Sequence, residues 1–219
     1  MYFPTIEHEK YIDYMKSICN QNQLSLILKG SLAHGTAKKF SDIDLLLCGK
    51  MSASLLDQMI SGFDKIVMTN QTENPKGIYI LNYENGISVD LDIRQSVLSS
   101  DISNNLVLCD YGFEITDNIK RRVITSDYMP ERPEWYKTIR LIHRCCVKYL
   151  CGKMDIAQGL ADEVSMAVFN VTNQRIAENE SMEKRMKEAF FFLSWDFSID
   201  QNIRKLMEEL FCVMREMDA

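Results

Sequence analysis

The chain has 219 residues, with 25 Lys and Arg against 31 Asp and Glu for a formal charge of −6, and is 46% hydrophobic and 26% charged. These proportions are globular and exclude a disordered or collagen-like chain. The longest apolar runs, such as 45–48 and 189–193, fall far short of the roughly 20 residues that a membrane span needs. The acidic balance disfavours a nucleic-acid partner, whose affinity would rest on Lys and Arg neutralising phosphates. Seven cysteines without a CxxC pair, and a start with no apolar signal segment, suit reduced thiols and a cytoplasmic location.

Ile6, Ile12, Met15 and Ile18 recur near a period of 3.6 and predict an opening helix over 5–20. The run 24–28 reads as a buried strand that stops at Gly30, and 43–48 as a second one closed by Gly49. Residues 52–62 read as helix. Segments 64–69, 77–82 and 87–94, bounded by the turn residues 74–77 and 84–86, read as strands of a mixed sheet, and 106–109 as one more. Pro130 and Pro133 mark a break, so 1–129 and 130–219 are expected as two domains. The second carries four amphipathic helical stripes, beginning at Trp135, Ile156, Met182 and Ile203, with Asp200 as N-cap of the last. The fold expected is α+β: a mixed β-sheet core with helices, followed by a C-terminal helical bundle.

Chemistry concentrates at Lys29-Gly30-Ser31-Leu32 and, after a polar loop, at Ser41-Asp42-Ile43-Asp44-Leu45. Side chains alternate along a strand, so Asp42 and Asp44 point the same way at the start of an otherwise apolar strand. Like charges side by side there call for a cation, and magnesium is the ordinary partner of hard carboxylate oxygens. Gly30 and Ser31 sit where a strand ends and the chain turns into a short helix, an arrangement of N–H groups and a hydroxyl suited to phosphate oxygens. A phosphate cradle one loop before a metal-binding pair implies metal-assisted phosphoryl or nucleotidyl chemistry. A third carboxylate is expected from Ser88-Val89-Asp90-Leu91-Asp92-Ile93-Arg94. Asp92, at the strand centre with Arg94 on its own face, is preferred and Asp90 is the alternate.

With Gly30-Ser31, ten intervening residues, Asp42-Ile43-Asp44-Leu45 and Leu91-Asp92-Ile93, residues 5–128 resemble the DNA polymerase β-like nucleotidyltransferase superfamily. Asp92-Ile93-Arg94 is similar to the third-carboxylate strand of its polymerase branch, and a helical domain behind the core is similar to the aminoglycoside and lincosamide nucleotidyltransferases. The resemblance implies two Mg2+ ions held by Asp42, Asp44 and Asp92, with Gly30 and Ser31 on the triphosphate of an NTP, most simply ATP. It implies transfer of a nucleoside monophosphate, AMP by the same choice, to a hydroxyl of a small antibiotic-like or metabolite acceptor, with loss of pyrophosphate. A protein-modifying (AMPylating) enzyme and a degenerate nucleotide-binding member are the alternatives, and a homodimer is compatible with either.

Lys137, Arg140, Arg144 and Lys148 form a basic helical stripe, from which Arg144 or Lys148 is expected to reach the triphosphate if the stripe faces the cleft. His34, in the loop after Ser31, is a weaker candidate for nucleotide contact, and Ser41 is expected to cap or turn the chain. His143, Cys145, Cys146 and Cys151 lack zinc-site spacing and read as core. Asp162, Glu163, Glu178, Glu180, Glu183 and Glu188 read as a solvated acidic face before a site for a cationic acceptor.

Overall fold

A computed structural model describes residues 3–218, apart from the side chain of Asp218. The chain divides into two compact units, Met1–Pro130 and Glu131–Ala219. In the first unit the order is α1 (Ile6–Gln21), β1 (Ser25–Lys29), α2 (Gly30–Ala33), β2 (Ile43–Cys48), α3 (Ala53–Ser61), β3 (Ile66–Glu73), β4 (Lys76–Tyr83), β5 (Ser88–Arg94), α4 (Ser99–Ser103) and β6 (Leu106–Cys109). The six strands form one mixed sheet in the order β3-β4-β5-β2-β1-β6. Its central pair, β2 and β5, is parallel, and the other pairs are antiparallel.

Alternation gives the sheet two different faces. Leu26, Leu28, Ile43, Leu45, Leu47, Val89 and Leu91 are buried in one core with Tyr11, Ile12 and Met15 of α1 and Leu56, Met59 and Ile60 of α3. Tyr11, Phe63 and Tyr83 add edge-to-face and tilted ring contacts, with the Tyr11 and Phe63 centroids 4.9 Å apart. The opposite face carries only a small apolar cluster of Ile27, Leu46, Cys48 and Val97. Asp44, Asp90, Asp92 and Arg94 share that face with them, and the candidate site lies there.

Local chemistry sets the helix starts. Thr5 and Ser52 cap α1 and α3 by accepting from His8 N and Leu55 N. α4 was not anticipated in sequence: it is a single turn whose Asp101 carboxylate accepts from the Leu98 N–H at 3.0 Å. β3 and β4 run further towards their shared turn than the apolar segments suggest, leaving only Asn74 and Pro75 between them.

The second unit is helical: α5 (Glu134–Leu150), α6 (Met154–Thr172), α7 (Met182–Asp196) and α8 (Gln201–Asp218). Its core includes Ile139, Ile142, Cys146, Leu160, Val164, Met186, Leu193, Met207 and Met214. The Asp200 carboxylate accepts from Asn202 N at 2.8 Å at the start of α8. No helix among the described residues is long and apolar enough to cross a membrane.

Candidate functional site

The site is built where β1 turns into α2 beside the start of β2. Lys29 is the antiparallel partner of Asp44, so Gly30 leaves the sheet directly over that carboxylate. Gly30 has φ +63, a left-handed conformation that glycine adopts freely. A Cβ added there would collide with Oδ2 of Asp44 and lie 3.1 Å from its Cγ. The Asp44 carboxylate therefore fills the space that the missing side chain leaves, and the glycine is required on both counts.

Register sets which of the two candidate third carboxylates lies beside Asp44. In the parallel β2–β5 pair Asp44 lies opposite Asp90, and Asp92 lies opposite Leu46, one row further into the sheet. Asp44 and Asp90 are half-buried neighbours on one face, and Asp42, two residues before Asp44, precedes the strand. Asp92 is only 7% exposed and both its oxygens are occupied. Arg94 donates Nε–H to its Oδ2 at 2.8 Å, and Arg121 donates Nε–H to its Oδ1 at 3.0 Å. The nearby cation that favoured Asp92 in sequence is present, together with a second one that the sequence did not reveal. Between them they engage the carboxylate.

These contacts extend into a buried ion chain. Arg94 Nη1 donates to Asp101 at 2.7 Å, and Lys29 Nζ donates to the other Asp101 oxygen at 2.9 Å. Burial pushes the Asp101 carboxyl up, but Lys29, the Leu98 N–H and Arg94 together outweigh it and hold it below the usual carboxylate range. Arg94, which burial alone would depress, is held above its ordinary value by Asp92 and Asp101. Arg121 reaches this chain from an irregular segment laid along β5, where Gln95 N donates to Lys120 O and Arg122 N to Ile93 O. Only the adjacent arginines at 121 and 122 hinted at it in sequence.

The donors fit magnesium in chemistry and backbone placement: three hard carboxylates, half-buried, at one end of the central strand pair. Among the described residues no group of three His, Cys, Asp or Glu side chains is gathered as it stands into a ligand cluster. The fit therefore rests on register.

Other candidates are distributed elsewhere. His34 Nε2 meets Asn104 O at 2.9 Å on the outside of the loop. Ser41 Oγ accepts from Lys38 N at 2.9 Å and so turns the chain before Asp42. On α5 of the second unit Arg144 is exposed and Lys148 half-buried. Cys145, Cys146, Cys151 and His143 are buried, and the Cys145 thiol donates to Ala157 O at 3.3 Å. Several acids of the second unit have structural partners: Asp162 with Arg185, Glu180 with Lys184, and Glu188 with Ala177 N.

Part of the chain is similar to known proteins. Residues 9–108, the segment from α1 through β6, match the nucleotidyltransferase domain family. Over that segment, a little under half of the chain, it is similar to nucleotidyltransferases. Among solved structures it is similar to a STING-associated CdnE c-di-GMP synthase from Capnocytophaga granulosa, with 13% identity over 93% of this chain and 81% of that one and a TM-score of 0.31. It is also similar to the CdnE cyclic dinucleotide synthase of Elizabethkingia meningoseptica, solved with GTP and Apcpp, with 14% identity over 90% and 74% of the two chains and a TM-score of 0.29. No curated protein matches the chain.

Proposed function

We propose that the chain transfers a nucleoside monophosphate, most simply AMP from ATP, to a hydroxyl of a small acceptor, with loss of pyrophosphate and dependence on Mg2+. The observation that carries this reading is the alignment of Asp90 with Asp44 beneath the Gly30 turn. Asp42, Asp44 and Asp90 are the metal ligands in this scheme. Asp90 takes the third role because both oxygens of Asp92 already serve Arg94 and Arg121. Two magnesium ions held by these carboxylates would supply charge neutralisation at the triphosphate and Lewis acidity at the attacking hydroxyl. Asp90, beside Asp44, takes up the proton that the acceptor hydroxyl gives. The Gly30 N–H and the Ser31 hydroxyl hold the terminal phosphates, and the glycine lets them approach the backbone closely.

The test is pyrophosphate release with magnesium and each common nucleoside triphosphate. Aminoglycosides, lincosamides, small hydroxyl metabolites and a cell protein extract serve as acceptors, with Asp42→Asn and Asp44→Asn as controls. Release that depends on a small acceptor and vanishes in both controls is the expected result. Turnover retained in either control overturns the mechanism. Release only with the protein extract moves the activity to a protein acceptor, and nucleotide binding without release defines a degenerate member.

A further inference from the structure

We propose that His8 is a positioning residue for the metal-binding carboxylate of Asp42, acting through the Ser41 carbonyl; this rests on the reading of Asp42 as a ligand. His8 stands on the buried face of α1 and is 1% exposed. Its Nε2 lies 3.0 Å from Ser41 O and its Nδ1 2.7 Å from Thr5 Oγ1. A carbonyl can only accept, so Nε2 carries the proton and Nδ1 accepts from the Thr5 hydroxyl. Burial lowers the His8 pKa against the opposing pull of the Ser41 carbonyl and Asp42, which keeps the ring neutral at pH 7 with the single N–H that this pattern needs.

The bond acts on the ligand through the peptide plane. Ser41 O belongs to the Ser41–Asp42 peptide, so fixing that carbonyl fixes the orientation from which Asp42 leaves the loop. The loop makes a local turn, with Ser41 N donating to Lys38 O at 2.9 Å and Lys38 N to Ser41 Oγ. That turn sets the shape of residues 38–41. His8 ties them to α1, which the Tyr11, Ile12 and Met15 core fastens to the sheet that carries Asp44 and Asp90. Asp42 stands outside β2, so it lacks the ladder that orients Asp44.

The test is manganese affinity in the presence of ATP, read as loss of the free-ion electron paramagnetic resonance signal, in the full chain well below its unfolding temperature. The variants are His8→Leu, His8→Asn and His8→Gln, with Asp42→Asn as reference. A lost outer partner of a metal ligand weakens the metal by about 10–100-fold. His8→Leu and His8→Asn are expected to weaken it by that much, because neither offers a donor that reaches Ser41 O. His8→Gln, whose amide nitrogen stands in for Nε2, restores most of the affinity. If His8→Leu fails to fold, the Asn and Gln pair, both polar, carries the comparison. Weakening in Asp42→Asn with none in His8→Asn overturns the role of His8 alone, as does equal weakening in the Asn and Gln variants. Unchanged affinity in Asp42→Asn overturns both readings.

Discussion

Gly30→Ala is the perturbation for which the structure gives the sharpest expectation. The residue has φ +63, and holding a side chain in the left-handed region costs roughly 1–2 kcal/mol. At about 2–4 °C per kcal/mol for a chain of this size, the melting temperature falls by about 2–8 °C. A second effect is specific to the site: the new methyl group occupies the position of Asp44 Oδ2, and with Cγ 3.1 Å away the whole carboxylate must swing aside. Gly86 separates the two effects. It has φ +84 in the turn between β4 and β5, and a Cβ there meets nothing within 4 Å. Gly86→Ala should show the same thermal shift as Gly30→Ala while binding manganese and ATP like the parent chain. Gly30→Ala should lose roughly 10–100-fold in metal affinity, the scale on which misplacing a ligand acts. Calorimetric titration of manganese with ATP, paired with thermal melts, reads both quantities. Equal binding by the two variants would refute the claim that Gly30 makes room for Asp44.

Asp90→Asn should abolish transfer and leave the melting temperature unchanged. Asp92→Ala should instead destabilise the first unit by about 3 kcal/mol or more in urea unfolding, because it deprives buried Arg94 and half-buried Arg121 of a shared carboxylate; the reverse assignment of effects would return the third ligand to Asp92. Asp101 has a folded pKa below its unfolded value, so its stabilisation is complete above about pH 4–5 and is lost as pH falls through the folded value. The urea midpoint should therefore drop in acid, and Asp101→Asn should flatten that part of the profile. Burial pushes the Cys19, Cys48 and Cys145 thiols up to about 12, whereas Cys212 is exposed. Alkylation at pH 8 in native buffer should mark Cys212 and spare these three until denaturant is added, as intact-mass analysis would show.

Much of this architecture is legible in the residues because the strands are short and bounded by turns, and because Asp42-Ile43-Asp44 sets two carboxylates at the start of an apolar strand. The third carboxylate is not legible in the same way. Asp90 and Asp92 share a face, and which of them lies beside Asp44 depends on how far β5 slides along β2, across an intervening α3 and β3–β4 hairpin. The partner Arg121 comes from a segment with no period of its own, held by backbone bonds to Gln95 and Ile93. α4 is not legible because one turn is too short to show helical periodicity, and its Asp101 joins Arg94 to Lys29, which lies 72 residues away in sequence. His8 is illegible for a related reason, since the carbonyl it meets lies 33 residues away.

The parallel pairing of β2 with β5 has a consequence for how the protein comes into being. A hairpin cannot join parallel strands, so the chain makes an excursion through a helix and two further strands before β5 returns to the centre of the sheet. A nascent chain that has emerged only as far as Tyr83 already contains the glycine turn, Asp42 and Asp44, yet it has no Asp90 to set beside them. Contacts so distant along the chain form late and slowly. Closure of β5 then joins the parallel pair and, in the proposed scheme, completes the carboxylate trio in a single step, leaving β6 to close the edge of the sheet beside β1.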